Sequence, residues 1–154
     1  MKQELVLKTE KETCDLAGII AKQVKTGDVL ALSGELGAGK TFFTQCVCRH
    51  LGVTEYVSSP SFILLNEYEG IYPIAHFDLF RLDSLEEVLE IGLVDIIEQR
   101  LTIIEWYEIA EEILPEQTIY LNFEISDPGR IVSIRTSREL ILNPFCAVGF
   151  CKEC

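Results

Sequence analysis

The chain has 154 residues with 25 Asp and Glu against 13 Lys and Arg, a formal net charge of −12. That deficit of basic side chains excludes a long phosphate-tracking face, so direct stable binding of nucleic acid is not expected. An acidic surface remains suited to docking on a basic partner. No run is apolar and long enough to cross a bilayer. Met1-Lys2-Gln3-Glu4 leads into a strand-like segment and not into a signal peptide, so no membrane association and a cytoplasmic location are expected. Length and an even hydrophobic pattern fit a single domain over 1–139. Residues 140–154, with Cys146, Cys151 and Cys154, read as a poorly ordered tail. Cys14, Cys46 and Cys48 sit in apolar-patterned segments and read as small buried thiols.

Glu4 to Leu7 reads as a short strand. Thr9-Glu10-Lys11-Glu12 has the form of a capping box, and the helix behind it sets Leu16, Ile19, Ile20 and Val24 on one face. Val29 to Leu32 is a short apolar run suited to a buried parallel strand. A glycine-rich loop follows over Ser33 to Thr41. A helix then runs from about Lys40 to Leu51 and stops at Gly52. Phe62 to Tyr68 and Ile71 to Phe77 read as a hairpin around Glu69-Gly70. Ser84 and Glu87 suggest a second capping box, opening a helix with Leu85, Val88, Leu89 and Leu93 at helical spacing. Leu101 to Ile104 is another buried strand. Thr118 to Ile125 and Ile131 to Arg135 form a last hairpin around Asp127-Pro128-Gly129. The order implies an α/β, P-loop NTPase-like three-layer fold with a mixed, partly antiparallel sheet.

Gly34-x-x-x-x-Gly39-Lys40-Thr41 matches the Walker A pattern, and its context of strand before and helix after is the one the motif requires. Gly34, Gly37 and Gly39 permit backbone conformations closed to residues with a Cβ, so that amides turn inward. Those N–H groups and the helix N-terminus suit phosphate oxygens. Lys40 adds a point charge, and the Thr41 hydroxyl is suited to magnesium. The motif implies binding of ATP with Mg2+. A carboxylate is then needed at the end of a buried strand. Asp78 and Glu105 both stand at such ends. Either can be a surface acid or a cap, but beside the glycine loop at least one belongs to the metal shell, and a second can orient the attacking water.

His76, two residues before Asp78, reads as a packed or capping residue in preference to a catalytic one. Arg81 is open to two readings, a phosphate contact or a pair with Asp83. Trp106 is either core packing or a wall of the nucleotide site or a partner contact. Ser58-Ser59-Pro60-Ser61 is either a polar turn or a switch that senses a γ-phosphate. A GTPase is disfavoured, because Asn66, Asn122 and Asn143 are followed by Glu67, Phe123 and Pro144 and no guanine-reading Asn-Lys-x-Asp exists. A small-molecule P-loop kinase is the main alternative, but no arginine-rich lid is visible after the loop.

Four ordered segments carry a closer likeness. Ser33 to Thr41, Ser58-x-Pro60-Ser61-Phe62, His76-Phe77-Asp78-Leu79-Phe80-Arg81-Leu82 and Ile104-Glu105-Trp106 together resemble the TsaE family, from near the N-terminus to about residue 136. The resemblance implies an ATPase component of threonylcarbamoyladenosine synthesis in tRNAs reading codons that start with A, acting with TsaD and TsaB. It also implies Thr41, Glu105 and Asp78 around the metal, with Asp78 and Glu105 as the catalytic acids. Glu35, Gly37, Ala38, Gly39, Lys40, Thr41, Phe42 and Trp106 are implied to hold the nucleotide, with Thr9 and Arg130 at the base. Phe80 stands where this family usually has Tyr, which removes a hydroxyl. Ser61 stands for the usual Thr, which keeps one.

Overall fold

The computed structural model describes residues 1–143 and residue 145. Its elements are β1 (Lys2–Leu7), α1 (Glu10–Ala21), β2 (Val29–Ser33), α2 (Lys40–His50), β3 (Leu65–Glu69), β4 (Pro73–Asp78), α3 (Leu85–Glu90), α4 (Leu93–Gln99), β5 (Leu101–Glu105), a 3-10 helix (Tyr107–Ile113), β6 (Ile119–Ile125) and β7 (Arg130–Arg135). The strands form one seven-stranded sheet in the order β1-β7-β6-β2-β5-β4-β3. The central strands β6, β2, β5 and β4 are mutually parallel, while β7 and β3 pair antiparallel at the flanks. The mixed three-layer α/β architecture is therefore the one expected.

Strand alternation explains the two cores. Leu30 and Leu32 of β2 point to the side where Leu16, Ile20, Phe43 and Val47 of α1 and α2 pack. Val29 and Ala31 point to the opposite side, against Val88, Leu93, Ile97 and Tyr107 of α3, α4 and the 3-10 helix. Because both faces of β2 are covered, all five of its residues are buried, as parallel strands demand.

Both capping boxes form, displaced by one residue. Thr9 Oγ1 accepts from Glu12 N–H at 3.2 Å, and the Glu12 carboxylate accepts from Lys8 N–H. Ser84 Oγ accepts from Glu87 N–H at 3.3 Å, and Glu87 accepts from Asp83 N–H at 2.8 Å. Each acid thus reaches back past the cap residue to the N–H before it.

Several expectations need correction. The first hairpin strand starts at Leu65, not Phe62, because residues 61–63 turn and Leu64 takes a positive φ of 72°. The helix after Ser84 is broken into α3 and α4 at Gly92, whose φ of 78° ends one helix and starts the next. Leu89 consequently faces solvent. Cys14 and Cys46 are not free thiols. They form a disulfide that ties α1 to α2, a proximity of 5.2 Å between Cα atoms that a sequence separation of 32 does not reveal. Cys48 is the free, buried cysteine among the described residues. The chain also stays packed beyond residue 139. Leu140, Leu142 and Phe145 are buried in the core, and the Gln23 side chain bonds both Ile141 N–H and Ile141 C=O. The rest of the tail, including Cys146, Cys151 and Cys154, lies outside the described residues.

Burial pushes the Cys48 thiol up to about 12. The thiolate is the reactive species, so in the native protein at pH 8 Cys48 should resist alkylation and should label only after denaturation. Peptide mass mapping after iodoacetamide treatment checks this, and rapid native labelling at Cys48 would contradict its place in the core.

Candidate active site

The site is assembled where parallel strands end together. Leu32 of β2 lies opposite Glu105 of β5, and Asp78 of β4 lies opposite the same Glu105. The loop leaving β2 turns through Gly34, Gly37 and Gly39, with φ of 136°, 81° and 112°. Gly39 caps α2 from the left-handed region and offers no side-chain acceptor to the first turn. The N-terminal amides of α2 therefore keep the positive end of the helix open to an anion.

Lys40 is 5% exposed, and its Nζ donates to the carbonyls of Gly34 at 2.5 Å and Glu35 at 3.1 Å. The ammonium also lies 4.5 Å from the centre of the Trp106 ring. Trp106 reaches that position from a left-handed backbone with φ of 57°, and its ring packs on Phe80 at 4.9 Å. Burial lowers the Lys40 pKa from the ordinary lysine value, while the carboxylates of Glu105, Asp78, Glu108 and Glu35 pull it back up.

Thr41 Oγ1 donates to Glu105 Oε1 at 3.1 Å. The same Glu105 oxygen lies 2.9 Å from His76 Nε2, and both side chains are buried. Asp78 is held from three sides: Oδ2 accepts from Ser61 Oγ at 3.0 Å and Ser59 Oγ at 3.3 Å, and Oδ1 accepts from Phe80 N–H at 2.9 Å. The serine loop is thus latched onto the acid at the end of β4.

A cavity of about 470 Å³ opens among Lys40, Thr41, Asp78, Glu105 and Trp106. A second of about 360 Å³ lies beside it, between Thr9 on one wall and Gly129 and Arg130 on the other. Gly37, Gly39 and Phe42 line both, so the two cavities share the glycine loop as a partition. Ala38 lines the second cavity, whereas Glu35 contributes its carbonyl to Lys40. Arg130 lines the second cavity, but its guanidinium also donates to the Ala38 carbonyl at 2.8 Å and the Gly37 carbonyl at 3.2 Å. It therefore braces the outer turn of the loop from β7. The Arg81 guanidinium lies over Phe62, 4.5 Å from the ring centre.

The donor set fits a phosphate chain carrying a divalent cation. It offers amides and one ammonium for phosphate oxygens. Beside them lie one hydroxyl and two carboxylates, hard oxygen ligands suited to magnesium, which also keeps waters and substrate oxygens in its shell. The sequence offers Ser59 and Ser61 as either a turn or a switch and leaves Phe80 and His76 out of the site. The Ser-Ser-Pro-Ser spacing was a signal for the serines. For His76 the signal was its two-residue offset from Asp78, which puts both on one face of β4.

Residues 7–132 match the family model described as threonylcarbamoyl adenosine biosynthesis protein TsaE. The chain belongs to the TsaE family. It is 40% identical over 136 residues to the tRNA threonylcarbamoyladenosine biosynthesis protein TsaE of Rickettsia felis, covering 86% of this chain and 80% of the relative. The TsaE protein of Bacillus subtilis is 38% identical over 113 residues, covering 72% of this chain and 70% of the relative. The crystal structure of Bacillus subtilis YdiB superimposes with a TM-score of 0.68 at 31% identity, covering 87% of this chain and 83% of that one. The family role is in tRNA threonylcarbamoyladenosine biosynthesis.

Gly34 gives a direct test of the loop geometry. A Cβ at this position would lie 2.4 Å from the Phe123 carbonyl oxygen, on top of an unfavourable φ. Gly34→Ala should destabilise the protein by roughly 2 kcal/mol or more, read as a fall in the urea midpoint. An unchanged midpoint would show that the loop does not hold this conformation.

Proposed function

We propose that the chain is an ATPase that serves tRNA threonylcarbamoyladenosine biosynthesis in the cytoplasm, together with TsaD and TsaB. The observation that carries this reading is the convergence of Lys40, Thr41, Asp78 and Glu105 on one cavity at the mouth of the glycine loop. The loop amides and Lys40 bind the phosphate tail. The neighbouring cavity between Thr9 and Arg130 takes the adenine. Thr41, Glu105 and Asp78 would hold Mg2+, which when bound neutralises phosphate charge.

Each residue then has a distinct task. Lys40 already lies along the loop carbonyls, so its ammonium needs only a small rotation to exchange those carbonyls for phosphate oxygens. Trp106, with Phe80 packed on its ring, forms one wall of the cavity. Asp78, released from the serine latch, is free to accept a proton or orient a water. The Ser59 and Ser61 hydroxyls would report the state of the site to the loop that carries them.

The kinase alternative finds less support. No arginine lines the larger cavity among the described residues, whereas phosphoryl transfer to a metabolite commonly draws on lid arginines. The same shortage predicts slow hydrolysis by the isolated chain. A partner that orders the serine loop or brings a cation would accelerate it by about 10³-fold or more, by analogy with other partner-activated phosphate-cleaving proteins. With a net charge of −12 the chain is poorly suited to hold tRNA itself, which leaves the RNA to the partners.

Phosphate release measured alone and with TsaD and TsaB tests the proposal. A strong rise with the partners is expected, and equal rates would refute partner dependence. Lys40→Ala should weaken ATP binding by about 10–100-fold, the equivalent of one charged hydrogen-bonding group. Calorimetry checks this, and wild-type affinity in that variant would remove the ammonium from the phosphate site. Asp78→Asn should lower hydrolysis by roughly 10²-fold or more with little loss of nucleotide affinity. An unimpaired rate would exclude Asp78 from the chemical step.

A further inference from the structure

We propose that His76 is a positioning residue, whose Nε2–H fixes the rotation of the Glu105 carboxylate and thereby sets up the magnesium shell. The inference rests on the metal–nucleotide reading of the site.

The register of the sheet places the pair. His76 of β4 lies opposite Ile103 of β5, and Asp78 lies opposite Glu105. Ile74, Leu101 and Ile103 all belong to the core beneath α1 and α2. Strand alternation puts His76 and Asp78 on that same side of β4, and Glu105 on that same side of β5. His76 is therefore the diagonal cross-strand neighbour of Glu105, one step deeper in the sheet than Asp78. The imidazole comes to the carboxylate from within the core, and Thr41 comes to it from α2.

The contacts are few and directional. Glu105 Oε1 lies 2.9 Å from His76 Nε2 and 3.1 Å from Thr41 Oγ1. His76 is 0% exposed, and its Nδ1 has no hydrogen-bond partner among the described residues. A fully buried ring with one nitrogen unsatisfied is unfavourable for packing alone, and an apolar side chain would fill the space without that cost. Among the described residues, the one polar contact the ring makes is to Glu105. A carboxylate oxygen accepts and does not donate, so Nε2 carries the hydrogen in this contact. This is the arrangement in which an outer residue orients a metal-binding group. The carboxylate cannot rotate about its terminal torsion without losing the His76 bond, so Oε1 stays anchored between His76 and Thr41, with Oε2 3.5 Å from Thr41 Oγ1.

The test uses the full-length protein with His76→Leu and His76→Gln, the second keeping an N–H at a similar reach. ATP affinity is measured by calorimetry in EDTA and across a Mg2+ titration. His76→Leu should leave the affinity in EDTA unchanged and weaken the apparent Mg2+ affinity about 10–100-fold, and His76→Gln should recover most of that loss. Wild-type Mg2+ dependence in His76→Leu would overturn the inference, as would a glutamine variant as impaired as the leucine one. If His76→Leu does not fold, long-range 1H–15N spectra of the wild type decide. An Nε2–H tautomer supports the assignment, and an Nδ1–H tautomer overturns it. Absence of any ATP binding by the wild type would instead refute the proposed function, and this inference with it.

Discussion

Parallel pairing of β2, β5 and β4 is the constraint on which the site depends. Parallel strands start and end at the same side of a sheet, so whatever follows each of them is delivered to one edge. Here the register sets Leu32, Glu105 and Asp78 in one row. The glycine loop leaves from the first strand, and an acid closes each of the other two. Had any of these strands run the other way, its acid would lie at the far edge of the sheet, several strand residues from Lys40. The crevice outside the carboxyl ends of such strands is the usual ligand position in open α/β sheets.

That arrangement creates an electrostatic problem and solves it locally. Lys40, Glu105 and Asp78 are all buried, and a buried charge is costly unless it is compensated. Lys40 is surrounded by loop carbonyls and an aromatic face, and by the carboxylates whose influence opposes its desolvation. Glu105 has a hydroxyl and an imidazole, and Asp78 has two hydroxyls and an amide. The loop carbonyls and the hydroxyls in this set are the kind of contact that an anion or a cation exchanges readily, whereas the buried imidazole of His76 stays with Glu105. The buried charges are thus compensated within the fold itself.

Much of this was legible from the residues in order. The spacing of Gly34, Gly39, Lys40 and Thr41 identified the loop, because its demands are local: positive φ at particular positions and a helix immediately after. Apolar runs at Val29 and Leu101 marked the strands that are covered on both faces. The helix split at Gly92 was harder to see, since Leu85, Val88, Leu89 and Leu93 keep a helical spacing across a glycine that breaks it. The strand boundary at Leu65 was missed for a similar reason: Phe62 and Ile63 are apolar yet exposed, and nothing in their type says that they leave the sheet.

Sequence by itself determined the chemistry available: a glycine-rich loop, its ammonium and hydroxyl, and acids at the ends of apolar strands. It could do so because those features depend on neighbours a few residues apart. The tertiary structure alone decided which groups meet across the sheet. His76 faces Glu105 because of a register, Arg130 braces the loop because β7 turns back toward it, and Cys14 finds Cys46 because α1 lies on α2. These contacts join residues 29, 92 and 32 positions apart. Their pairing is set by how strands order and helices pack, which no local pattern encodes.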